Sequence, residues 1–162
     1  MSDSEATLYL IGGKIAAGKS TLAAELSARP GTILVCQDDW LSALYPDEIR
    51  TLEDYVRCFR RLAGPLGDHV VALLQAGVSV VLDFPANTRR TRAWMKGIVD
   101  RAGVVHELHY LDVPDSVCLE RLRARNAEGK HAYQTSDEEF AQFTAHFEPP
   151  EADEGFTVIR RG

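Results

Sequence analysis

The sequence predicts an α/β protein with three layers, in which helices pack on a five-stranded, mostly parallel sheet. Short apolar runs alternate along the chain with longer stretches whose apolar residues recur with helical spacing. Several of these runs are continuously apolar, as in strands that are buried on both faces. A glycine-rich segment joins the first run directly to a helix rich in alanine and leucine. Crossovers between such strands are expected to be right-handed.

Five strands and six helices follow in chain order. The predicted strands are Thr7–Gly12, Thr32–Cys36, Val78–Leu82, Val104–Leu111 and Phe156–Arg160. The predicted helices cover residues 19–29, 52–63, about 68–77, 89–102, 115–126 and 136–147. Gly64-Pro65-Leu66-Gly67 is expected to separate the second helix from the third. Ser136 with Glu139 predicts a capping box at the start of the last helix.

Composition favours one globular domain over residues 1–162 and excludes several classes of protein. The net charge of −6 argues against a broad surface for duplex nucleic acid. The three cysteines form no C-x-x-C pair, which favours a reduced cytoplasmic protein. The apolar run at residues 8–11 is too short to span a membrane, so no membrane association is expected. The oligomeric state is not readable from the sequence.

The segment from Gly13 to Ser20 reads G-x-x-x-x-G-K-S and predicts a phosphate-binding loop. Its glycines allow backbone N–H groups to face inward, and the helix that follows adds its positive end. Lys19 can reach the β- and γ-phosphates of ATP, and the Ser20 hydroxyl can bind Mg²⁺. A chance glycine-rich turn is the alternative, but the flanking strand and helix favour nucleotide binding. The predicted nucleotide-binding residues are Gly13, Ala16, Ala17, Gly18, Lys19, Ser20 and Thr21.

Carboxylates follow the second and third predicted strands, at the sheet edge where parallel α/β proteins bind ligands. Asp38 could orient an acceptor hydroxyl and take its proton. Asp83 follows a run of apolar residues and could hold Mg²⁺. Simpler interpretations remain open: Asp38 and Asp39 could be first-turn helix charges, and Asp83 could merely start a loop.

Two arginines four residues apart, Arg121 and Arg125, share one face of a predicted helix. They could bind the nucleotide and neutralise charge on a phosphoryl group during transfer. The alternative is a basic helix end that complements the helix dipole. The segment of about 121–135 is predicted to form a lid that excludes water.

An acceptor pocket is expected in the segment after the second strand and near the start of the fourth helix. Arginine suits phosphate and carboxylate groups, and an indole ring can stack on a planar substrate. Core packing is the simpler role for the tryptophan, and a solvated helix face for the arginines. The candidate acceptor-binding residues are Asp39, Trp40, Arg57, Arg89 and Arg92.

Together these residues resemble the small P-loop kinases often grouped as an AAA-like family, with zeta-toxin kinases, chloramphenicol phosphotransferase and the 5′-hydroxyl polynucleotide kinase domain. The resemblance implies a P-loop NTPase sheet with strand order 2-3-1-4-5. It also implies that Asp38 is the acceptor-activating base and that Arg121 and Arg125 are lid arginines. The sequence departs from the family twice: Leu41 replaces an arginine, and Asp83-Phe-Pro-Ala-Asn87 is one residue longer than the usual D-x-x-N.

The predicted activity is transfer of the γ-phosphate of ATP, with Mg²⁺, to a hydroxyl of a small molecule or nucleotide-like metabolite. A 5′-hydroxyl nucleic-acid kinase is one alternative. An ATP-dependent switch is another, in which the acidic loop at residues 148–154 would contact a protein partner. The acceptor is not identified by the sequence.

Overall fold

The computed structural model describes residues 6–129 and 135–162, and its strands form one five-stranded sheet. The strand order is β2-β3-β1-β4-β5, and all four pairings are parallel. This confirms the predicted P-loop NTPase fold and its strand order. The strands are β1 (Thr7–Gly13), β2 (Thr32–Cys36), β3 (Ser79–Pro85), β4 (Val105–Leu111) and β5 (Val158–Arg161).

The helices of the described chain connect these strands. They are α1 (Lys19–Ser27), α2 (Gln37–Leu44), α3 (Leu52–Gln75), α4 (Arg89–Ala102), α5 (Asp115–Glu128) and α6 (Asp137–Ala145), with a short 3-10 helix at Ala152–Glu154. The predicted capping box at the start of α6 is confirmed: the Ser136 hydroxyl accepts from the Glu139 N–H, and the Glu139 carboxylate accepts from the Ser136 N–H. Helix α2 was not predicted, because the sequence from residue 37 to 44 is short and has no strong periodicity.

Alternate residues of β1 face two different apolar layers. Leu8 and Leu10 pack with residues of α3 and α4, while Tyr9 and Ile11 pack with residues of α1. Leu8, Leu10 and Ile11 are fully buried, and each such side chain stabilises the fold by about 1.5–3 kcal/mol. The central strand is therefore fixed from both sides, and the loop at its carboxyl end starts from a rigid base.

The predicted break at residues 64–67 is wrong, because α3 runs continuously through Pro65. Gly64 and Pro65 lie on the exposed side, where water can bind the carbonyl that proline leaves unpaired. Close packing against α4 holds the helix together on its buried side. The Trp94 indole donates to the Ala63 carbonyl at 3.1 Å, and a Cβ on Gly67 would lie 3.1 Å from the Trp94 Nε1.

The pairing of β1 with β3 contains an irregularity near the carboxyl ends of the two strands. Leu10 pairs with Leu82, but the next residue, Ile11, pairs with Pro85. Asp83 therefore lies within a strand that is longer than predicted. The shift leaves Asp83 and Phe84 without a partner in β1 and brings the chain after β3 alongside the end of β1, where the Ala86 N–H donates to the Ile11 carbonyl at 3.1 Å.

The last strand also begins later than predicted, at Val158 rather than at residue 156. Phe156 packs edge-on against the His106 ring, and the Thr157 N–H donates to the His106 Nε2 at 3.0 Å. Phe156 is therefore held by a ring contact, whereas Thr157 is held by this bond and by its own carbonyl, which accepts from the Leu108 N–H at 2.8 Å. None of the helices in the described residues is long and apolar enough to cross a membrane.

Candidate active site

The phosphate loop connects β1 to α1 with an unusual backbone. Gly18 caps α1 with a φ of 108°, and Ala16 adopts a φ of 64°. Such values favour glycine, which explains the residue at position 18. Gly13 is required by crowding: a Cβ there would lie 3.0 Å from the Leu111 Cβ and 3.2 Å from the Ala17 Cβ. The loop is thus held in a curve around the N-terminus of α1, as an anion site requires.

The Lys19 ammonium lies across this loop and is partly buried. It donates to the Gly13 carbonyl at 2.7 Å and to the Lys14 carbonyl at 2.9 Å. Burial lowers the pKa of Lys19 to about 8, although the charges of Asp83 and Asp38 act in the opposite direction. Within the described residues, the hydrogen-bond partners of this partly buried cation are backbone carbonyls. It therefore fits an anionic ligand, whose oxygens would compensate for lost hydration.

Asp83 and Ser20 are the candidates for holding Mg²⁺. Burial raises the pKa of Asp83, and the charge of Asp38 raises it further, while Lys19 lowers it. In residues 6–129 and 135–162, no cluster of three or more His, Cys, Asp or Glu side chains could hold a metal ion by itself. One carboxylate and one hydroxyl fit Mg²⁺, which takes most of its remaining ligands from phosphates and water.

Asp38 and Asp39 lie in the first turn of α2, which confirms the simpler interpretation of their position as helix charges. Asp38 nevertheless lies just after the carboxyl end of β2, near Lys19 and Asp83. Its charge affects the pKa of Lys19 and of Asp83, and it also contributes to raising the pKa of Tyr55. The position of Asp38 is therefore compatible with both a helix charge and a role beside the phosphate loop.

Helix α5 packs over the phosphate loop. Leu122 joins an apolar cluster with Ala17, and Arg121 donates to the Ala17 carbonyl at 3.4 Å. Arg125 is close enough to lower the pKa of Lys19, after larger effects of burial and neighbouring acids. The Arg125 Nε is buried and has no hydrogen-bond partner within the described residues. Of the predicted lid of about 121–135, residues 130–134 lie outside the described residues.

For three of the predicted acceptor-binding residues, no hydrogen bond or ion pair in the described part of the chain joins them to Lys19, Asp83 or Asp38. Arg57 pairs with Asp54 at 3.1 Å, and Arg89 pairs with Asp153 at 2.7 Å. Trp40 is 41% exposed, so the simpler expectation that it packs in the core is wrong. Because its ring is exposed, a contact between Trp40 and the acceptor stays a prediction.

The prediction that Arg92 binds the acceptor is wrong. Its side chain is fully buried, and all five of its N–H donors are used inside the chain. It donates to the carbonyls of Ala86, Glu148 and Pro149 and twice to the Glu154 carboxylate. Arg92 therefore ties the carboxyl-terminal segment to the chain after β3.

Sequence reasoning did not assign a role to two polar groups at the site. Asn87 makes two hydrogen bonds to the backbone of Gly13, each 2.8 Å long. Gln37 is buried and donates to the Tyr55 hydroxyl at 2.6 Å, and burial raises the pKa of Tyr55 to about 12. Gln37 directly follows β2, and Asn87 lies two residues beyond β3. Polar residues at the carboxyl ends of parallel strands face the site, a general signal that does not single out either residue.

The fold and the phosphate loop define this chain as a P-loop protein with a kinase-like fold. Residues 8–150 match the family model described as an AAA domain, so the chain belongs to that family. A search of curated proteins finds no match to this chain.

Several solved structures share the fold. A protein from Chloroflexus aurantiacus, provisionally described as a kinase, is 17% identical with a TM-score of 0.75, and covers 99% of this chain and 86% of its own. A sugar kinase from Janibacter sp. HTCC2649 is 19% identical with a TM-score of 0.61, covering 96% and 84%. The Mycobacterium tuberculosis APS kinase CysC, solved with AMPPNP and APS, is 18% identical with a TM-score of 0.60, covering 96% and 88%.

Proposed function

We propose that this protein is an ATP- and Mg²⁺-dependent kinase that phosphorylates a hydroxyl group of a small molecule or nucleotide-like metabolite. One observation carries the proposal: the Lys19 ammonium lies across the phosphate loop, where it donates to the Gly13 carbonyl at 2.7 Å and to the Lys14 carbonyl at 2.9 Å. Asp83, Asp38 and Arg125 lie close enough for their charges to act on its pKa, so a partly buried ammonium, two carboxylates and a guanidinium are grouped at the end of this loop. This is the set of groups that phosphoryl transfer to a hydroxyl requires.

The phosphate loop and α1 bind the nucleotide phosphates in this proposal. Backbone N–H groups of the loop and the positive end of α1 contact the phosphate oxygens, and Lys19 reaches the β- and γ-phosphates. Mg²⁺ neutralises phosphate charge when it is bound, and Ser20 and Asp83 are the residues that would hold it. Arg121 and Arg125 stabilise the charge that spreads over the transferred group.

Asp38 activates the acceptor. Its carboxylate orients the hydroxyl and takes the proton as the acceptor oxygen bonds to the γ-phosphorus. The bond between the γ-phosphorus and the β,γ-bridging oxygen breaks, and ADP leaves with the electron pair of that bond. The alternative base, Asp39, lies one residue further along the same helix turn and also affects the pKa of Asp83.

The acceptor class is supported by the composition of the site and by the related folds. A sugar kinase and an APS kinase share this fold, and both act on small molecules according to their descriptions. The buried Gln37 and the partly buried Tyr55 place an amide and a hydroxyl near Asp38, and such groups suit the hydroxyls of a polar metabolite. Trp40 and Arg57 are further candidates at the acceptor side, because both are exposed.

ATP turnover with Mg²⁺ tests the proposal, measured alone and with pools of sugars, nucleosides, other alcohols and hydroxyl-ended oligonucleotides. We expect slow basal turnover that rises with one metabolite pool. Stimulation by oligonucleotides alone would identify a nucleic-acid kinase instead. Tight ATP binding with no stimulation by any pool would contradict a kinase and favour a switch.

A further inference from the structure

We propose that Asn87 is a positioning residue that fixes the phosphate loop, and that the carboxyl-terminal segment holds Asn87 in place through Arg92. The evidence is a chain of hydrogen bonds from the loop to residues 148–154. The effect on nucleotide binding rests on the proposed function, whereas the effect on the loop itself does not.

The first link is between the Asn87 amide and one residue of the loop. The Gly13 N–H donates to the Asn87 Oδ1, and the Asn87 Nδ2 donates to the Gly13 carbonyl, both at 2.8 Å. These two partners fix the orientation of the amide, since one is a donor and the other an acceptor. The Asn87 side chain, which is 74 residues from Gly13 in the sequence, therefore bonds to both the N–H and the carbonyl of Gly13, as the backbone of a neighbouring strand would.

The second link joins this contact to the nucleotide-binding lysine. The Gly13 carbonyl that accepts from Asn87 also accepts from the Lys19 ammonium at 2.7 Å. Asn87 thus positions an oxygen that in turn positions Lys19. A shift of that carbonyl would move the ammonium away from the phosphates, and small displacements of binding groups have large effects on transfer rates.

The third link holds Asn87 itself. Its carbonyl accepts from the Glu148 N–H at 2.8 Å, and the preceding residue, Ala86, donates to the Ile11 carbonyl at 3.1 Å. Arg92 binds the carbonyls of Ala86 and Glu148 at 3.0 and 2.7 Å, joining the two segments from the interior. The carboxyl-terminal segment is therefore continuous, through hydrogen bonds, with the phosphate loop.

Asn87→Ala tests the inference through two measurements on the full chain. Hydrogen exchange of the loop peptide without nucleotide should become faster, because the Gly13 N–H loses its partner. Affinity for Mg-ATP should fall by about 10–100-fold, by analogy with the loss of a group that orients a metal-binding side chain. Asn87→Asp keeps the acceptor but places a carboxylate oxygen against the Gly13 carbonyl, so its affinity should fall while its Gly13 N–H stays closer to parent exchange.

Thr88→Ala is the matched control. Thr88 is the next residue, and its hydroxyl caps α4 by accepting from the Thr91 N–H at 3.2 Å. This variant should lower the melting temperature while its loop exchange and Mg-ATP affinity stay at parent values. An equal loss of affinity in Thr88→Ala would overturn the inference, because the effect would then come from local destabilisation.

The two proposals fail in different ways. Parent exchange and parent affinity in both Asn87 variants would overturn the positioning role and leave the kinase proposal intact. If loop exchange is faster in Asn87→Ala than in the parent, the positioning role is supported. If the parent also fails to bind Mg-ATP, the kinase proposal is contradicted while the positioning role stands.

Discussion

The two sides of the candidate active site are built in different ways. The phosphate side consists of backbone and of side chains that are partly or fully buried: Lys19 and Asn87 both bind Gly13, and Arg92 ties the segments behind them. The acceptor side consists largely of exposed side chains on α2 and α3, such as Asp38, Trp40 and Arg57. A phosphate side tied together by hydrogen bonds can hold a ligand in one position, whereas exposed side chains on the acceptor side are free to adjust to the substrate.

The largest effect is expected on the phosphate side, for Lys19→Ala. Turnover should fall by about 100–1,000-fold, because the charge that stabilises the transferred phosphate is lost. Mg-ATP affinity should also fall, by about 10–100-fold, as expected for a lost charge-assisted hydrogen bond. Binding and turnover assays check both values.

Lys96→Ala controls for the removal of a lysine. Its ammonium forms an ion pair with Asp100 on the surface of α4, so its loss should leave binding and turnover unchanged. Unchanged affinity in Lys19→Ala would contradict the proposed loop function.

On the acceptor side, Asp38→Asn should separate transfer from nucleotide binding. Transfer should fall by about 100–10,000-fold, because the amide cannot take the hydroxyl proton. Affinity for Mg-ATP should stay near the parent value, since the loop contacts are intact. Single-turnover kinetics with saturating ATP measure the first quantity and equilibrium titration the second.

Asp47→Asn is the control for this change, because it removes an exposed carboxylate beyond α2. Asp39→Asn tests the alternative base directly. A larger loss of transfer in Asp39→Asn than in Asp38→Asn would show that Asp39, and not Asp38, activates the acceptor.

The comparison also predicts a difference in stability between two arginines of the same helix. Arg92→Met should lower the free energy of unfolding by about 3–5 kcal/mol, because Glu154 then loses a buried partner. Arg89→Met should lower it by about 1 kcal/mol or less, since Arg89 is half exposed and its pair with Asp153 lies at the surface. Chemical denaturation of both variants measures the difference, and equal values would refute the bracing role of Arg92.

The smallest expected effect is a pH dependence of nucleotide capture. Burial lowers the pKa of Lys19 to about 8, so its ammonium is lost as pH rises through that value. Because kcat/KM reports the free protein, it should fall above about pH 8. Bound phosphates favour the charged ammonium, so kcat with saturating ATP should fall only at higher pH. A kcat/KM that stays constant up to pH 10 would contradict this assignment.

The fold and the phosphate loop were predictable because their signals are local. Continuous apolar runs predicted the strands, and the spacing of Gly13, Gly18 and Lys19 in a strand-to-helix context predicted the loop. Contacts between distant segments were not predictable in the same way. The Trp94 packing that keeps α3 continuous, the burial of Arg92 and the Asn87 contact with Gly13 all join segments far apart in the chain.

The β1–β3 irregularity explains why Asn87 in particular received no role. Its position two residues beyond β3 depends on a register shift that leaves no periodic signal in the sequence. Acceptor residues were harder still, because exposed side chains such as Trp40 and Arg57 make few contacts that restrict what they bind.

The decisive measurement is the transfer of labelled phosphate from γ-labelled ATP, compared between the parent and Asp38→Asn. With the acceptor pools present, we expect a labelled hydroxyl compound with the parent and almost none with Asp38→Asn, while both proteins bind Mg-ATP equally. Label released only as inorganic phosphate by the parent, or equal labelling by both proteins, would contradict it.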